Sequence, residues 1–81
     1  MQEYSLDPVL VGEVLASYRK KKHVSQEVLS GLAAIGRTHL SAIERGERRP
    51  TLDTFYRLCK ALGVSPGAVF DSIDEAMKNR K

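Results

Sequence analysis

The sequence contains a single cysteine, Cys59, and it has no tryptophan and no long apolar run. One cysteine excludes an internal disulfide, and together with only two histidines it makes a metal site unexpected. A membrane span would need about 18 consecutive apolar residues, and the N-terminus MQEYSLDPVL lacks the basic flank of a secretory signal. We therefore expect a cytoplasmic protein of 81 residues that needs no metal or cofactor and has a thin core.

The basic residues are concentrated in the middle of the chain, although the formal net charge is only +3. Residues 1–17 carry three acids and no base, residues 18–60 carry ten bases and four acids, and residues 61–81 carry three of each. A basic stretch of this kind occurs on nucleic-acid-binding surfaces and also on ordinary solvated ones. The arrangement of these charges on the predicted helices must therefore decide between the two.

Apolar residues recur at helical spacing nearly throughout the chain, which predicts five short helices and no strand. Asp7 and Pro8 supply the N-cap and first position of the first helix, and Gly46 and Gly63 predict the ends of the third and fourth. The predicted helices run over residues 8–22, 25–33, 37–45, 51–62 and 66–70, and residues 72–81 form a tail or extend the fifth helix. The predicted fold is therefore a compact all-α domain over residues 8–71, preceded by a tail over residues 1–7.

The same spacing identifies the residues that should face the core. In the first helix these are Val11, Leu15 and Tyr18, in the second Leu29 and Leu32, in the third Leu40 and Ile43, and in the fourth Leu52, Phe55, Leu58, Ala61 and Leu62. Cys59 lies beside Leu58, so we interpret it as a small buried hydrophobe rather than a reactive thiol.

The second and third helices, joined by a few residues, have the arrangement of a helix-turn-helix, whose second helix enters a DNA major groove. Opposite its core side, the third helix carries a stripe of Arg37, Ser41 and Arg45 with Thr38 and Ala42 beside it. Arginine can donate two hydrogen bonds to guanine, hydroxyl groups can contact base edges, and small side chains allow close approach. A plain solvent-facing surface explains the same stripe equally well.

The segment VSQEVLSGLAAIGRTHLSAIERGERRPTLDTFYRLCKALGVSPGAVF resembles the Cro/repressor-type helix-turn-helix family, the Xre-like regulators. The similarity extends over residues 9–70. Its most specific parts are Ser25-Gln26-Glu27, Ile43-Glu44-Arg45-Gly46, Pro50-Thr51-Leu52-Asp53-Thr54 and Ala61-Leu62-Gly63-Val64-Ser65. The resemblance implies a repressor-like five-helix domain, double-stranded DNA as partner, and a homodimer that regulates transcription from a palindromic operator.

The resemblance also implies roles for individual residues. Base contacts would come from Arg37, Thr38 and Ala42, base or backbone contacts from His39 and Ser41, and phosphate contacts from Gln26, Arg45, Arg48 and Arg49. Gln26 would also brace the residue at the start of the third helix. Arg19 and Glu44 match a partly buried salt bridge that orients this helix.

The sequence departs from the family pattern around the turn. Ala34 stands where glycine is usual, at a position that often needs a positive φ. Gly36 replaces the usual Ser or Thr N-cap of the third helix, and Ser30 replaces an alanine in the second. Because Ala42 offers no hydrogen bond, direct base contacts would depend on Arg37 and Thr38, helped by His39.

Two alternative functions remain at the level of sequence. The chain could be an antitoxin-type module whose main partner is a protein, or the controller of a restriction–modification system.

The dimer contact is predicted from the fifth helix and the tail, with Val69, Phe70, Ile73 and Met77 as candidates. An enzyme is not expected. His39, Ser41 and Glu44 contain the residue types of a hydrolytic site, but they lie along one short helix without a second element to form a pocket.

Overall fold

The computed structural model describes residues 4–80, which form five α-helices and no strand. The helices are α1 (Pro8–Lys21), α2 (Gln26–Ala33), α3 (Arg37–Glu44), α4 (Leu52–Leu62) and α5 (Pro66–Asn79). The predicted all-α fold with a helix-turn-helix at α2 and α3 is therefore confirmed. Of the predicted tails, residues 1–3 and residue 81 lie outside the described part. None of the described helices has the length and apolarity needed to cross a membrane.

The helix starts follow the capping residues of the sequence. The side chains of Asp7, Ser25, Thr51 and Ser65 each accept a hydrogen bond from a backbone N–H in the first turn of their helix. Such a cap satisfies one of the free N–H groups at the helix start. Gly36, before α3, supplies no side-chain cap, as the sequence predicted.

The fifth helix continues without a break to Asn79, so residues 72–79 extend it and pack with it against α1. The Tyr18 hydroxyl lies 2.7 Å from the Ser72 hydroxyl. At the end of the helix, Arg80 pairs with the α1 N-cap Asp7 at 2.7 Å. This packing buries Val69 and Ile73 on one side of α5 within a single chain.

Two of the predicted dimer contacts are therefore wrong. Val69 and Ile73 are 0% and 1% exposed and belong to the core of the monomer, because they face α1 and α4 from the buried side of α5. Met77 is partly buried against the same core. Phe70, on the outer side of α5, remains 46% exposed.

Two residues predicted to face inward are also exposed. Leu32 is 64% exposed, because the short helix α2 packs mainly on α3 and α4 and fills that narrow contact with Leu29 and Ala33. Leu52 is 84% exposed, because it is the first residue of α4 and precedes the buried positions that begin at Thr54. The predicted burial of Cys59 is confirmed, and it raises the pKa of the thiol to about 11.

Helices α1 and α3 approach each other closely, a contact that the sequence patterns did not predict. Gly12 is buried, and a Cβ added there would overlap the backbone carbonyl oxygen of Ile43 and lie 2.6 Å from that of Glu44. A glycine inside a helical segment is the sequence signal for such a contact. The missing side chain lets α1 pack directly on the backbone of the last turn of α3.

Candidate nucleic-acid interface

The third helix is held to the core along one side and presents a polar surface on the other. Leu40 and Ile43 are both 0% exposed. The predicted contact residues follow a different helix face: Arg37, Thr38, His39 and Arg45 are exposed, and Ser41 and Ala42 are half-buried. The fold therefore brings the sequence-predicted residues of α3 together on one accessible surface, which we call the α3 face.

The last turn of α3 is fixed by the predicted salt bridge. Arg19 of α1 donates from Nε and Nη2 to the two carboxylate oxygens of Glu44 at 2.7 and 2.9 Å. Its Nη1 donates to the carbonyl of Val24 at 2.9 Å. The two side chains are 12% and 6% exposed, and the hydrogen bonds to Glu44 raise the pKa of Arg19. Glu44 is thus a structural residue and is not directed toward His39 or Ser41.

Gln26 braces α3, but at its end rather than at its start. The Nε2 group of Gln26 donates to Oε1 of Glu44 at 2.8 Å. The difference arises because the N-terminus of α2 lies beside the salt bridge between α1 and the last turn of α3. Gln26 and Arg19 therefore hold the same carboxylate from two helices.

The turn between α2 and α3 has the backbone geometry that the departures from the family pattern implied. Ala34 adopts the left-handed conformation, with φ 59° and ψ 44°. The N–H groups of Ala34 and Ile35 bond the carbonyls of Gly31 and Ser30, which is a Schellman motif at the end of a helix. The buried Ser30 hydroxyl donates to the Glu27 carbonyl at 3.1 Å, so its polar group is satisfied.

A second Schellman motif ends α3 and places Glu47. Gly46 has φ 80°, and a Cβ there would lie 2.8 Å from the Val9 Cα, so only glycine fits. The N–H groups of Gly46 and Glu47 bond the carbonyls of Ile43 and Ala42 at 3.0 and 2.9 Å. The residue after the glycine is therefore fixed relative to the α3 face.

At this end of α3, the Arg45 side chain makes hydrogen bonds to two neighbouring side chains. Its Nε and Nη2 donate to the Glu47 carboxylate at 3.0 and 2.9 Å, and its Nη1 donates to the Ser41 hydroxyl. The hydrogen bonds from Arg45 lower the pKa of the Glu47 carboxyl, so the pair is charged at neutral pH. Glu47 is not among the residues predicted from the sequence. Its sequence signal is an acid two residues after Arg45, across a helix-ending glycine.

The remaining predicted phosphate contacts differ from each other. The Arg48 side chain is exposed and, like those of Arg37, Thr38 and His39, makes no hydrogen bond or ion pair with another described residue. Arg49 instead donates from Nη1 to the Leu6 carbonyl at 2.6 Å, which ties it to the segment before α1. Arg48 is thus the more available of the two.

Comparison with known proteins places these features in context. The helix-turn-helix family model matches residues 15–69, more than half of the chain. The uncharacterized HTH-type transcriptional regulator y4dJ of Sinorhizobium fredii is 39% identical over 66 residues, which cover 82% of this chain and 86% of that protein. The control protein C.BamHI of Bacillus amyloliquefaciens is 39% identical over 64 residues, covering 78% and 79%.

The fold is similar to that of a solved structure. The crystal structure of the restriction-modification controller protein C.AhdI from Aeromonas hydrophila matches with a TM-score of 0.77 and 33% sequence identity. The match covers 82% of this chain and 100% of that chain. The similarity therefore includes the whole of a small regulator and is not restricted to one motif.

Proposed function

The chain belongs to the helix-turn-helix family of DNA-binding, Xre-like transcriptional regulators, and we propose that it binds one particular double-stranded sequence with α3 in the major groove. The observation that carries this proposal is the way α3 is held. Leu40 and Ile43 anchor one side and Glu44 fixes the last turn, while the α3 face is left accessible. A groove-reading helix needs this combination of rigid support and exposed donors.

The contacts divide into base and phosphate groups. The Arg37 side chain has no partner among the described residues, so its guanidinium is available to donate to guanine O6 and N7. Thr38 and His39 are exposed beside it, and the Ala42 methyl suits a thymine methyl. We assign phosphate contact to Arg48, which positions the protein without selecting a base.

Gln26 has room for a second contact. Its Nε2 uses one N–H for Glu44 and keeps another. It stands at the start of α2, where free backbone N–H groups also favour an anion. We therefore keep its proposed phosphate role together with its bracing role.

We further propose a homodimer on a palindromic operator. An apolar groove between α4 and α5 is lined by Leu52, Tyr56 and Phe70, which are 84%, 53% and 46% exposed. A second copy seated on this groove would cover apolar surface that one chain leaves in water. A two-fold dimer of this kind would present two α3 helices to successive major grooves about 34 Å apart.

Selection of bound sites from random duplex DNA at physiological salt tests the proposal. A palindromic consensus would support both specific recognition and two-fold symmetry. A consensus without symmetry would support recognition and contradict the homodimer on a palindrome. No enrichment over the input pool would contradict specific recognition by α3.

A second candidate is more specific and rests on the comparisons. C.AhdI is a restriction-modification controller, C.BamHI is a control protein, and both match over most of their length. This supports a controller role for the present chain. The test is whether the selected site occurs upstream of adjacent genes for a restriction endonuclease and a methyltransferase; a site found only elsewhere would contradict it.

A further inference from the structure

The ion pair between Arg45 and Glu47 has a position that stability does not explain. Both side chains are more than half exposed, at 53% and 61%. Exposed pairs of this kind contribute little to folding, because solvent and salt screen the two charges. The pair nevertheless lies at the end of the α3 face, where the proposed function puts DNA, and an acid there opposes attraction to phosphates.

The geometry of the pair is preorganised. The Schellman motif fixes the Glu47 backbone, and Gly46 is locked against Val9. Glu47 then holds the Nε and Nη2 edge of the Arg45 guanidinium, while Ser41 holds Nη1. One N–H on Nη1 and one on Nη2 remain for an outside acceptor. A long side chain that would otherwise sample many phosphates is thereby restricted to one orientation over α3.

We propose that Glu47 is a specificity-determining residue, which orients Arg45 across Ser41 so that Arg45 contacts a base edge instead of gripping the phosphate backbone. The inference rests on the proposed function. It also changes a role that the family resemblance implied, because Arg45 becomes a base contact instead of a phosphate contact. Glu47 itself acts through Arg45, so it is a positioning residue.

The test uses Glu47→Gln, which keeps the shape and removes the charge. The dissociation constant is measured for the selected site, for each single base-pair change in it, and for random duplex, over a range of salt. Discrimination at the base pair facing Arg45 should fall by about tenfold. Binding to random duplex should strengthen, with a salt dependence steeper by about one counterion.

Two further variants separate this role from general electrostatics. Glu75→Gln removes an exposed acid on α5 that forms no ion pair with another described residue, so it should leave the base preferences unchanged. Arg45→Ala should abolish preference at the same base pair that Glu47→Gln weakens. Unchanged thermal unfolding of Glu47→Gln would confirm that the fold is intact.

The failures are distinguishable. If the parent protein selects no site, the proposed function and this inference are both contradicted. If the parent selects a site and Glu47→Gln has the same base preferences, only the inference falls. It also falls if Arg45→Ala weakens every sequence equally, because that is the behaviour of a phosphate contact.

Discussion

The carboxylate of Glu44 in α3 accepts two hydrogen bonds from the guanidinium of Arg19 in α1, at 2.7 and 2.9 Å. Gln26 of α2 donates a third, at 2.8 Å. Three helices therefore meet at one carboxylate in the last turn of α3. Because the orientation of α3 determines which groups face DNA, this junction links the stability of the domain to its proposed recognition.

Glu44→Ala should lower the free energy of unfolding by about 3 kcal/mol, because it leaves the largely buried Arg19 charge unpaired. Urea denaturation measures the loss. The matched control is Asp53→Ala, which removes an exposed pair with Arg57 at 3.7 Å and should cost less than about 1 kcal/mol. Equal losses in the two variants would contradict a structural role for the junction.

Gly12→Ala should cost at least about 2 kcal/mol, because a methyl group would force α1 away from the backbone of α3. The control is Gly31→Ala in α2, where an added Cβ meets nothing within 4 Å. That change should raise stability by up to about 1 kcal/mol, since alanine favours helix over glycine. Thermal or urea unfolding of both variants checks the prediction; a neutral Gly12→Ala would refute the close approach.

Ala34→Gly should stabilise the protein by about 0.5–1 kcal/mol. The left-handed conformation costs alanine about 1–2 kcal/mol, and the greater freedom of glycine in the unfolded chain offsets part of the gain. Ala33→Gly, one residue earlier within α2 and buried, should instead destabilise by about 1 kcal/mol or more. A loss of stability in both variants would mean that the turn does not strain Ala34.

Arg37→Ala and Arg48→Ala should weaken DNA binding in different ways. Arg37→Ala should cost about 1–3 kcal/mol and relax preference at one base pair. Arg48→Ala should weaken all duplexes about equally and reduce the salt slope by about one. We choose Arg48 over Arg49, because Arg49 also holds the Leu6 carbonyl. Titrations with base-substituted sites distinguish the two; identical profiles would contradict the assignment.

Leu52→Glu should convert the proposed dimer into a monomer, because it puts a charge into the apolar groove between α4 and α5. Leu32→Glu is the matched control, since Leu32 is also exposed, at 64%, but lies outside that groove. Sedimentation velocity at micromolar concentration measures the assembly state. A parent protein that is already monomeric, or a Leu32→Glu variant that dissociates equally, would argue against this interface.

Local chemistry made much of the fold predictable. Asp7, Ser25 and Thr51 mark helix starts, because their side-chain oxygens accept hydrogen bonds from backbone N–H groups only a few residues along the chain. Leu40 and Ile43 were placed correctly because the period of a helix fixes which residues share a side. The salt bridge between Arg19 and Glu44 is not of this kind: it was implied by the family resemblance and then confirmed by the structure.

What the sequence by itself determined was the set of five helices, their caps and the character of each side of α3. Only the tertiary structure decided how wide each buried side is, which left Leu32 and Leu52 exposed and drew Val69 and Ile73 into the core. It also decided which long polar side chains meet, as Gln26 does with Glu44 and Arg45 with Glu47. The physical reason is range: caps and periodicity act within one or two turns, whereas burial and polar pairing depend on the distance and angle at which separate segments pack.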